Sequence, residues 1–208
     1  MILIPARGGS KRIPNKNLID LNGKPLITYV IDCSLAVNEN VYVSTDCGDI
    51  AKVATQAGAI AIKRPNHLAG DYSPASEVVA HFLKEIPDVS DFAYVQPTSP
   101  LLTPNFLLEG FERLKVGGYN SVISVTENTQ FFWDEDHNSV NFERGKRPRT
   151  QDMKKWYAEN GAFYLTSSEA FHDTGVLVNG KVSFVVMPQS HSFEIDTYED
   201  LEIVRNML

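Results

Sequence analysis

Short apolar runs alternate with longer amphipathic stretches along most of the chain, and the runs are rich in valine and isoleucine. This alternation is typical of βαβ units, in which helices pack on the faces of a mainly parallel sheet. Six runs are predicted to be strands: 2–5, 41–44, 93–96, 121–125, 162–165 and 182–186. The pattern therefore predicts an α/β sandwich whose sheet has about seven strands, with functional loops at their carboxyl ends.

Three segments carry signals for the start of a helix. Ser73 followed by Pro74 predicts one helix with Ser73 as its N-cap, and Thr103 before a proline predicts a second. Thr197, with Asp200 three residues later, has the spacing of a capping box. A third helix is therefore predicted to follow Thr197.

The stretch 131–157 does not fit the alternation, because it is polar and long for a plain connection. It carries six basic residues: Arg144, Lys146, Arg147, Arg149, Lys154 and Lys155. We expect this stretch to form an arm or a lid. No linker rich in proline, glycine or serine divides the chain, so 1–208 is predicted to be one domain.

The composition excludes several classes of protein. The 208 residues are 43% hydrophobic, which is typical of a globular protein and excludes a disordered one. The 26 acidic and 19 basic residues give a net charge of −7, which argues against nonspecific binding to nucleic acid or to an anionic membrane. The two cysteines lack zinc-ligand spacing, and neither a signal peptide nor a long apolar run is seen. We therefore expect a cytoplasmic protein.

The strongest chemical signal is the loop 6–17, which directly follows the first predicted strand. Two glycines, Gly8 and Gly9, allow close approach of the backbone to a ligand. The loop contains four cations and no carboxylate: Arg7, Lys11, Arg12 and Lys16. The spacing matches neither a Walker A loop nor G-x-G-x-x-G. A polyphosphate site is favoured, and a solvated basic turn is the alternative.

The residues 6–12 and 16–18 of this loop resemble the signature of the acylneuraminate cytidylyltransferases, the CMP-sialic acid synthetase family. Further blocks match that family in order: 43–46, 63–65, 68–71, 96–100, 160–164 and 194–197. The resemblance thus covers nearly the whole chain. It implies a three-layer α/β/α sandwich with a mainly parallel mixed sheet, similar to the Rossmann-like nucleotide-binding half of nucleotide-diphospho-sugar transferases.

The resemblance also implies an activity. Family members join CTP to a nine-carbon 2-keto sugar acid of the sialic, legionaminic or pseudaminic type, in the presence of Mg²⁺, and release pyrophosphate. The expected partners are therefore CTP and a nonulosonic acid. Members are commonly homodimers, so the stretch 131–157 is expected to be a dimerisation arm that completes the sugar site of the neighbouring subunit.

Individual roles follow from the same resemblance. Arg7 and Lys16 match positions that contact the triphosphate, and are the expected catalytic residues. Further positions match nucleotide contacts: Ala6, Gly8, Gly9, Ser10, Asn17 and Arg64, the last beside the cytosine. A serine that contacts cytosine in some relatives falls within 71–76. Ungapped matching puts Ala75 at that place, and Ser76 is the predicted nucleotide contact nearby.

Around the sugar, the matching positions are Gln96, Asn160 and Tyr164. Asn160 also fits a turn with the glycine after it, and Tyr164 also fits the core of a strand. The sugar carboxylate needs a cation, which Arg149 or the lysines 154 and 155 would supply. Relatives often carry a second arginine where this chain has Thr150, at the part expected to set the choice of sugar.

Glu194 and Asp196 are the candidate Mg²⁺ ligands. An extended segment places residues i and i+2 on one face, and Mg²⁺ takes one or two carboxylates together with phosphate and water. The alternative is that both are exposed acids before a helix N-terminus, where negative charge is favourable.

Other functions have less support. A Kdo-type cytidylyltransferase is the nearest rival, although those enzymes open with a less basic loop. A glycosyltransferase would need a D-x-D motif at a strand end, whereas Asp134-Glu135-Asp136 lies in the predicted arm. No histidine is paired with a serine or cysteine elbow, so a hydrolase is not indicated. A non-catalytic nucleotide-binding module is the remaining class.

Overall fold

The computed structural model describes residues 1–208 and has a seven-stranded mixed sheet at its centre. In chain order the strands are β1 (Ile2–Pro5), β2 (Asp20–Leu21), β3 (Lys24–Pro25), β4 (Val41–Thr45), β5 (Ile60–Lys63), β6 (Asp91–Val95), β7 (Ser121–Asn128), β8 (Trp156–Ser167) and β9 (Val182–Val186). The large sheet has the order β5-β4-β1-β6-β8-β7-β9, and β2 pairs with β3 separately. Every pairing in the large sheet is parallel except the two that β8 makes.

Five helices lie between strands and a sixth follows β9: α1 (Leu26–Leu35), α2 (Gly48–Gln56), α3 (Ala75–Glu85), α4 (Pro104–Val116), α5 (Ser168–Thr174) and α6 (Tyr198–Arg205). Pro104 occupies the first position of α4, where its missing N–H breaks no helical hydrogen bond. None of the helices is long and apolar enough to cross a membrane.

The core forms two layers because successive side chains of a strand point to opposite faces of the sheet. Ile2 and Ile4 of β1 pack on one side with residues of α1, α2 and α4. Leu3 packs on the other side with Phe82 of α3 and Phe171 of α5. The predicted three-layer α/β/α sandwich is thereby confirmed.

A third apolar cluster anchors the basic loop. Ile13, in the middle of the loop 6–17, is fully buried against Leu201 and Val204 of α6 and Ile195 just before that helix. Burial of an isoleucine side chain contributes about 1.5–3 kcal/mol. The loop that carries the four cations is therefore tied to the C-terminal segment.

The six predicted strands are present, but three details differ. The predicted count of about seven strands is confirmed, but no apolar run marked the seventh, Ile60–Lys63, which is short and has only Ile62 buried. β8 is longer than predicted because its first half is exposed and gives no apolar pattern. Ser73 is not an N-cap: α3 begins after Pro74, and the Ser73 hydroxyl donates to the carbonyl of His67 instead. The capping box of Thr197 and Asp200 is confirmed.

Between β7 and β8 the chain forms an extension with two single 3₁₀ turns, Arg144–Lys146 and Thr150–Asp152. Its aromatic rings pack on each other, with the centroids of Phe131 and Phe142 4.8 Å apart. The Arg147 guanidinium lies 4.0 Å from the centroid of the Phe131 ring. The extension ends at β8, so the last two residues of the predicted arm belong to the sheet.

Candidate active site

The loop 6–17 leaves β1 at the carboxyl ends of the parallel strands β1, β4 and β6, the edge at which open α/β sheets bind ligands. There it lines a cavity of about 420 Å³, which we call the basic cavity. Six charged side chains line it: Arg7, Lys11, Arg12, Lys16, Asp71 and Asp196. Four cations therefore face two carboxylates in one space.

Asp71 bridges two of these cations. Its carboxylate accepts a hydrogen bond from Arg7 Nη1 at 2.8 Å, and Lys11 Nζ lies 2.5 Å from its other oxygen. Hydrogen bonds from Lys11 and Arg7 hold the pKa of Asp71 below its usual value. The carboxylate is therefore ionised at neutral pH and satisfies both cations.

Asp196 pairs with the other two cations. Lys16 Nζ donates to Asp196 Oδ1 and to the carbonyl of Ile195, both at 2.9 Å, and Arg12 lies 2.7 Å from Asp196 Oδ2. Burial raises the pKa of Asp196, but Lys16 and Arg12 outweigh it and hold that pKa below its usual value. Lys16 thus fastens the loop to the segment before α6.

The two glycines of the loop differ in what requires them. A Cβ on Gly8 would lie 2.9 Å from Cys47 Cβ, so only glycine allows the loop to lie this close to the start of α2. The Gly8 amide donates to Asp46 Oδ1 at 3.0 Å. A Cβ on Gly9 would meet nothing within 4 Å. Close packing therefore requires a glycine at position 8 but does not require one at position 9.

Ala6, Ser10 and Asn17 occupy different environments in the loop. Ala6 is buried in the core and its amide donates to the carbonyl of Ser44 at 2.9 Å, whereas Ser10 lines the basic cavity. Asn17 is 5% exposed and its amide nitrogen donates to the carbonyl of Arg7 at 3.0 Å. The Asn17 amide oxygen is buried without a hydrogen-bond partner, which marks it as an acceptor still open to a donor.

A second cavity of about 220 Å³, which we call the side cavity, lies next to the basic one. Arg64, Tyr94 and Gln96 line it, together with Arg7 and Asp71. Arg64 is 4% exposed, and its guanidinium donates to the hydroxyl and the carbonyl of Ser44. Burial lowers the pKa of Arg64 and raises the pKa of Tyr94 to about 12.

The segment before α3 supplies another wall of the side cavity. Ser73 and Ala75 line this cavity, whereas Ser76 does not. The structure therefore does not bring Ser76 into the cavity with Arg64, and Ala75 occupies the place given by ungapped matching of the family pattern.

Glu194 makes no ion pair with the cations of the loop and is instead held by its neighbours. The Thr98 hydroxyl donates to Glu194 Oε1 at 2.7 Å, and the Thr98 carbonyl accepts from the amide of Ile195 at 2.9 Å. A Cβ on Gly161 would lie 3.2 Å from Glu194 Oε2. Thr98 and Gly161 therefore position the Glu194 carboxylate, while Asp196 faces the basic cavity.

Asn160 and Tyr164 lie on β8, beside the end of β6. The Asn160 amide donates to the Ser192 hydroxyl at 3.0 Å, and the Tyr164 hydroxyl donates to Glu159 at 3.1 Å. Burial first, and Glu159 next, raises the pKa of Tyr164 to about 12. The backbone N–H of Gln96 donates to the carbonyl of Ala162, which also lies on β8. This bond brings Gln96 next to Asn160 and Tyr164.

Arg149 is not brought to either cavity of its own chain. Its side chain is 73% exposed and pairs only with Asp152, at 2.7 Å. A separate cavity of about 210 Å³ is lined by the ends of the extension, including Thr150, Lys154 and Lys155. The basic residues of the extension therefore lie outside the basic and side cavities.

The sequence pattern indicated the basic loop and Asp196, but not how their charges pair. Asp71 and Thr98 are the functional candidates that it missed. Both lie within blocks that match the family, 68–71 and 96–100, so those blocks were the available signal.

The Asp-x-Asp sequence lies in an exposed turn. There the Asp134 carboxylate accepts a hydrogen bond from the backbone N–H of Asn138 and stabilises the turn.

This arrangement suits a highly charged anion. Guanidinium and ammonium groups at a strand-end cavity can neutralise a polyphosphate, and a neighbouring cavity with buried polar groups can take an uncharged part of the same ligand. No three His, Cys, Asp or Glu side chains come together as a metal-binding group. A metal held by one or two carboxylates and substrate phosphate remains compatible with the site.

Known proteins are similar to this chain over most of its length. A family model described as "Cytidylyltransferase" matches residues 1–203. A pseudaminic acid cytidylyltransferase from Campylobacter jejuni subsp. jejuni is 32% identical over 218 residues, which covers 99% of this chain and 94% of that protein. N-acylneuraminate cytidylyltransferase B from Danio rerio is 36% identical over 202 residues, which covers 93% of this chain. The chain spans about half of the Danio rerio protein, 48% of its length.

Among solved structures, a CMP:2-keto-3-deoxy-manno-octonic acid synthetase complexed with CTP is similar, with a TM-score of 0.77. The alignment covers 99% of this chain and 96% of the other at 18% identity, so it shows a shared fold. The family match and the nearly end-to-end similarity to the Campylobacter jejuni protein confirm the resemblance found in the sequence. The chain belongs to the cytidylyltransferase family.

Proposed function

We propose that this protein transfers the CMP group of CTP to the anomeric hydroxyl of a nonulosonic acid and releases pyrophosphate. The observation that carries the proposal is the basic cavity, where four cations lie at the carboxyl ends of the parallel strands. Relatives named for N-acylneuraminate and for pseudaminic acid support a nine-carbon sugar acid as the acceptor.

The reaction needs charge stabilisation more than covalent help. The sugar hydroxyl attacks the α-phosphorus and releases its proton to the solvent, a new O–P bond forms, and the bond between the α-phosphorus and the pyrophosphate oxygen breaks. Arg7 offers a guanidinium that suits phosphate oxygens, and Lys16 offers a point charge fixed by two hydrogen bonds. We propose that both stabilise the negative charge that shifts to the leaving pyrophosphate.

Mg²⁺ is the proposed cofactor. Carboxylate oxygens are its usual protein ligands, and Asp196 lines the basic cavity, where the ion would replace Lys16 or Arg12 as the partner of one carboxylate oxygen. The absence of a side chain at Gly161 leaves room for the Glu194 carboxylate nearby. Asp196 and Glu194 would therefore hold the ion, which supplies further neutralisation of the phosphates when bound.

The side cavity is the proposed place for the cytosine. Two hydrogen bonds to Ser44 hold the Arg64 guanidinium there, and its burial shields its N–H groups from water. Gln96 joins the side cavity to β8, where Asn160 and Tyr164 are the proposed sugar contacts. A nucleotide in the two cavities would then present its α-phosphate to a sugar lying against β8.

The test is pyrophosphate release from CTP and Mg²⁺ with a panel of keto sugar acids. The panel contains N-acetylneuraminic, legionaminic and pseudaminic acids, together with the eight-carbon Kdo. We expect release with CTP and at least one nine-carbon acid, and much less with UTP. Release with Kdo alone would instead support the Kdo-type alternative, and no release with any acid would reject the proposal.

We further propose that the protein acts as a homodimer. Four large apolar side chains are exposed on β8 and β9, next to the extension: Trp156, Tyr157, Phe184 and Val186. Exposed apolar groups in contact, such as the rings of Tyr157 and Phe184 at 5.4 Å, are typical of an interface. Arg149 reaches neither the basic cavity nor the side cavity of its own chain. A two-fold contact through these strands would allow it to reach the site of the neighbouring subunit.

Complementation tests this arrangement. An Arg7→Ala protein lacks a cation of its own basic cavity, whereas an Arg149→Ala protein lacks the cation that it would supply to the site of its partner. A mixture should form heterodimers with one intact site, and activity should approach about a quarter of wild type. Mixing Arg7→Ala with Lys16→Ala is the matched control, which should recover nothing. A monomer by light scattering, or no recovery after verified subunit exchange, would contradict a shared site.

We also propose a cytoplasmic location. Cys33 and Cys47 are both free thiols, which persist best in a reducing compartment. CTP, the proposed nucleotide substrate, favours the same compartment.

A further inference from the structure

The basic cavity and the side cavity share a wall. Three residues line both of them: Pro5, Arg7 and Asp71. Arg7 and Asp71 are joined across that wall by a hydrogen bond of 2.8 Å. A ligand that occupies both cavities at once must therefore pass the Arg7–Asp71 ion pair.

Asp71 satisfies the cations in the way that a phosphate oxygen would. Its carboxylate accepts from Arg7 and pairs with Lys11, and it makes no hydrogen bond to any other group. Carboxylate and phosphate oxygens are interchangeable partners for guanidinium and ammonium groups. The two cations cannot keep this pairing and direct the same donors to a phosphate, so Asp71 and phosphate compete.

We propose that Asp71 is an internal competitor of the triphosphate, and that nucleotide binding opens the shared wall by displacing it. This inference rests on the proposed function, because it assigns the polyphosphate of CTP to the basic cavity. Phosphate oxygens take over Arg7 and Lys11, the Arg7–Asp71 pair separates, and the two cavities become one groove. The nucleotide then binds more weakly than the four cations alone would allow, because the ion pairs of Arg7 and Lys11 with Asp71 must break first.

The proposal predicts that loss of the Asp71 charge strengthens binding. Asp71→Asn leaves four cations against one carboxylate in the basic cavity, where the wild type has two. The Asp71 side chain is 32% exposed, so each ion pair is weak and the expected gain is modest. We expect the dissociation constant to fall at least about 3-fold.

Isothermal titration calorimetry without metal measures the effect, with CTP and inorganic tripolyphosphate as separate probes. Asp88→Asn is the matched control: it removes the same charge from an exposed position before β6, at the opposite edge of the sheet. Asp71→Ser is a second variant that removes the charge with a smaller side chain. Thermal unfolding checks that the variants fold.

The results separate this inference from the proposed function. Tighter binding of both probes by the two Asp71 variants, with Asp88→Asn unchanged, supports it. Tighter binding of tripolyphosphate without any binding of CTP supports the competition but contradicts the proposed function. Weaker or unchanged binding of tripolyphosphate by the Asp71 variants overturns the inference, because Asp71 would then position the cations. No binding of tripolyphosphate to the wild type overturns it as well.

Discussion

Replacing Gly161 with alanine tests whether the position of the Glu194 carboxylate matters for the reaction. Gly161 has a φ of +72°, which L-residues adopt only with strain, and a Cβ there would lie 3.2 Å from Glu194 Oε2. The neighbour must shift by a few tenths of an ångström to accept it. Gly161→Ala therefore combines backbone strain with a displaced carboxylate.

Gly175→Ala separates the two effects. Gly175 has nearly the same φ, +73°, but a Cβ there would meet nothing within 4 Å. The left-handed conformation costs an L-residue about 1–2 kcal/mol, so both variants should lose that much stability. For a chain of this size, such a loss lowers the melting temperature by about 2–8 °C.

Only Gly161→Ala should also affect catalysis. Because small displacements of positioned groups have large kinetic effects, we expect its kcat to fall about 3- to 10-fold and its Mg²⁺ requirement to rise. Differential scanning calorimetry and steady-state pyrophosphate release measure the two quantities. Equal activity of Gly161→Ala and Gly175→Ala, at equal loss of stability, would refute a role for the Glu194 carboxylate.

Three further predictions concern single charged groups. Lys16→Ala should lower kcat/KM at least about 10²-fold in the pyrophosphate assay, whereas the exposed Lys84→Ala should not, because only Lys16 faces the basic cavity; similar values would exclude Lys16 from the mechanism. Asp196→Asn should lose most activity at ordinary Mg²⁺ and regain part of it at high Mg²⁺, and full activity in chelator would contradict the metal site. Burial raises the pKa of Asp200, but hydrogen bonds from Thr197 and the backbone outweigh it and lower that pKa from the usual 3.8. The stability that Asp200 adds over Asp200→Asn is therefore present above pH 3.8 and lost as pH falls through the lowered value, which chemical denaturation at several pH values would show.

Local patterns were sufficient to predict much of the fold. The buried strands β1 and β4 each begin with at least three consecutive apolar residues, and the capping box at Thr197 needs only two residues at fixed spacing. The edge strand Ile60–Lys63 was missed because only Ile62 is buried, so its pattern differs little from a loop. The exposed first half of β8 escaped prediction for the same reason.

The charge pairing in the site was beyond local patterns. Arg7 and Asp71 are 64 residues apart in the chain, and Lys16 and Asp196 are 180 apart. The sequence showed a loop rich in cations, but only the fold brings the two acids to it. Likewise, Thr98 is an ordinary polar residue in the sequence, and its contact with Glu194 depends on the loop after β6 meeting the segment before α6.

The packing of the aromatic residues in the extension was beyond sequence patterns. Phe131, Trp133 and Phe142 pack on each other, and Arg144 and Arg147 lie against their rings. Periodicity gives no information for a segment without regular strands or helices.

If the two strand-end cavities hold CTP as proposed, its CMP group passes to a sugar acid. Mass spectrometry of a reaction with CTP, Mg²⁺ and the active nonulosonic acid measures this transfer. We expect a product with the mass of CMP joined to the sugar acid, and one pyrophosphate released for each molecule formed. Pyrophosphate accompanied by free CMP in place of the joined product would show hydrolysis instead, and would overturn the proposed transfer.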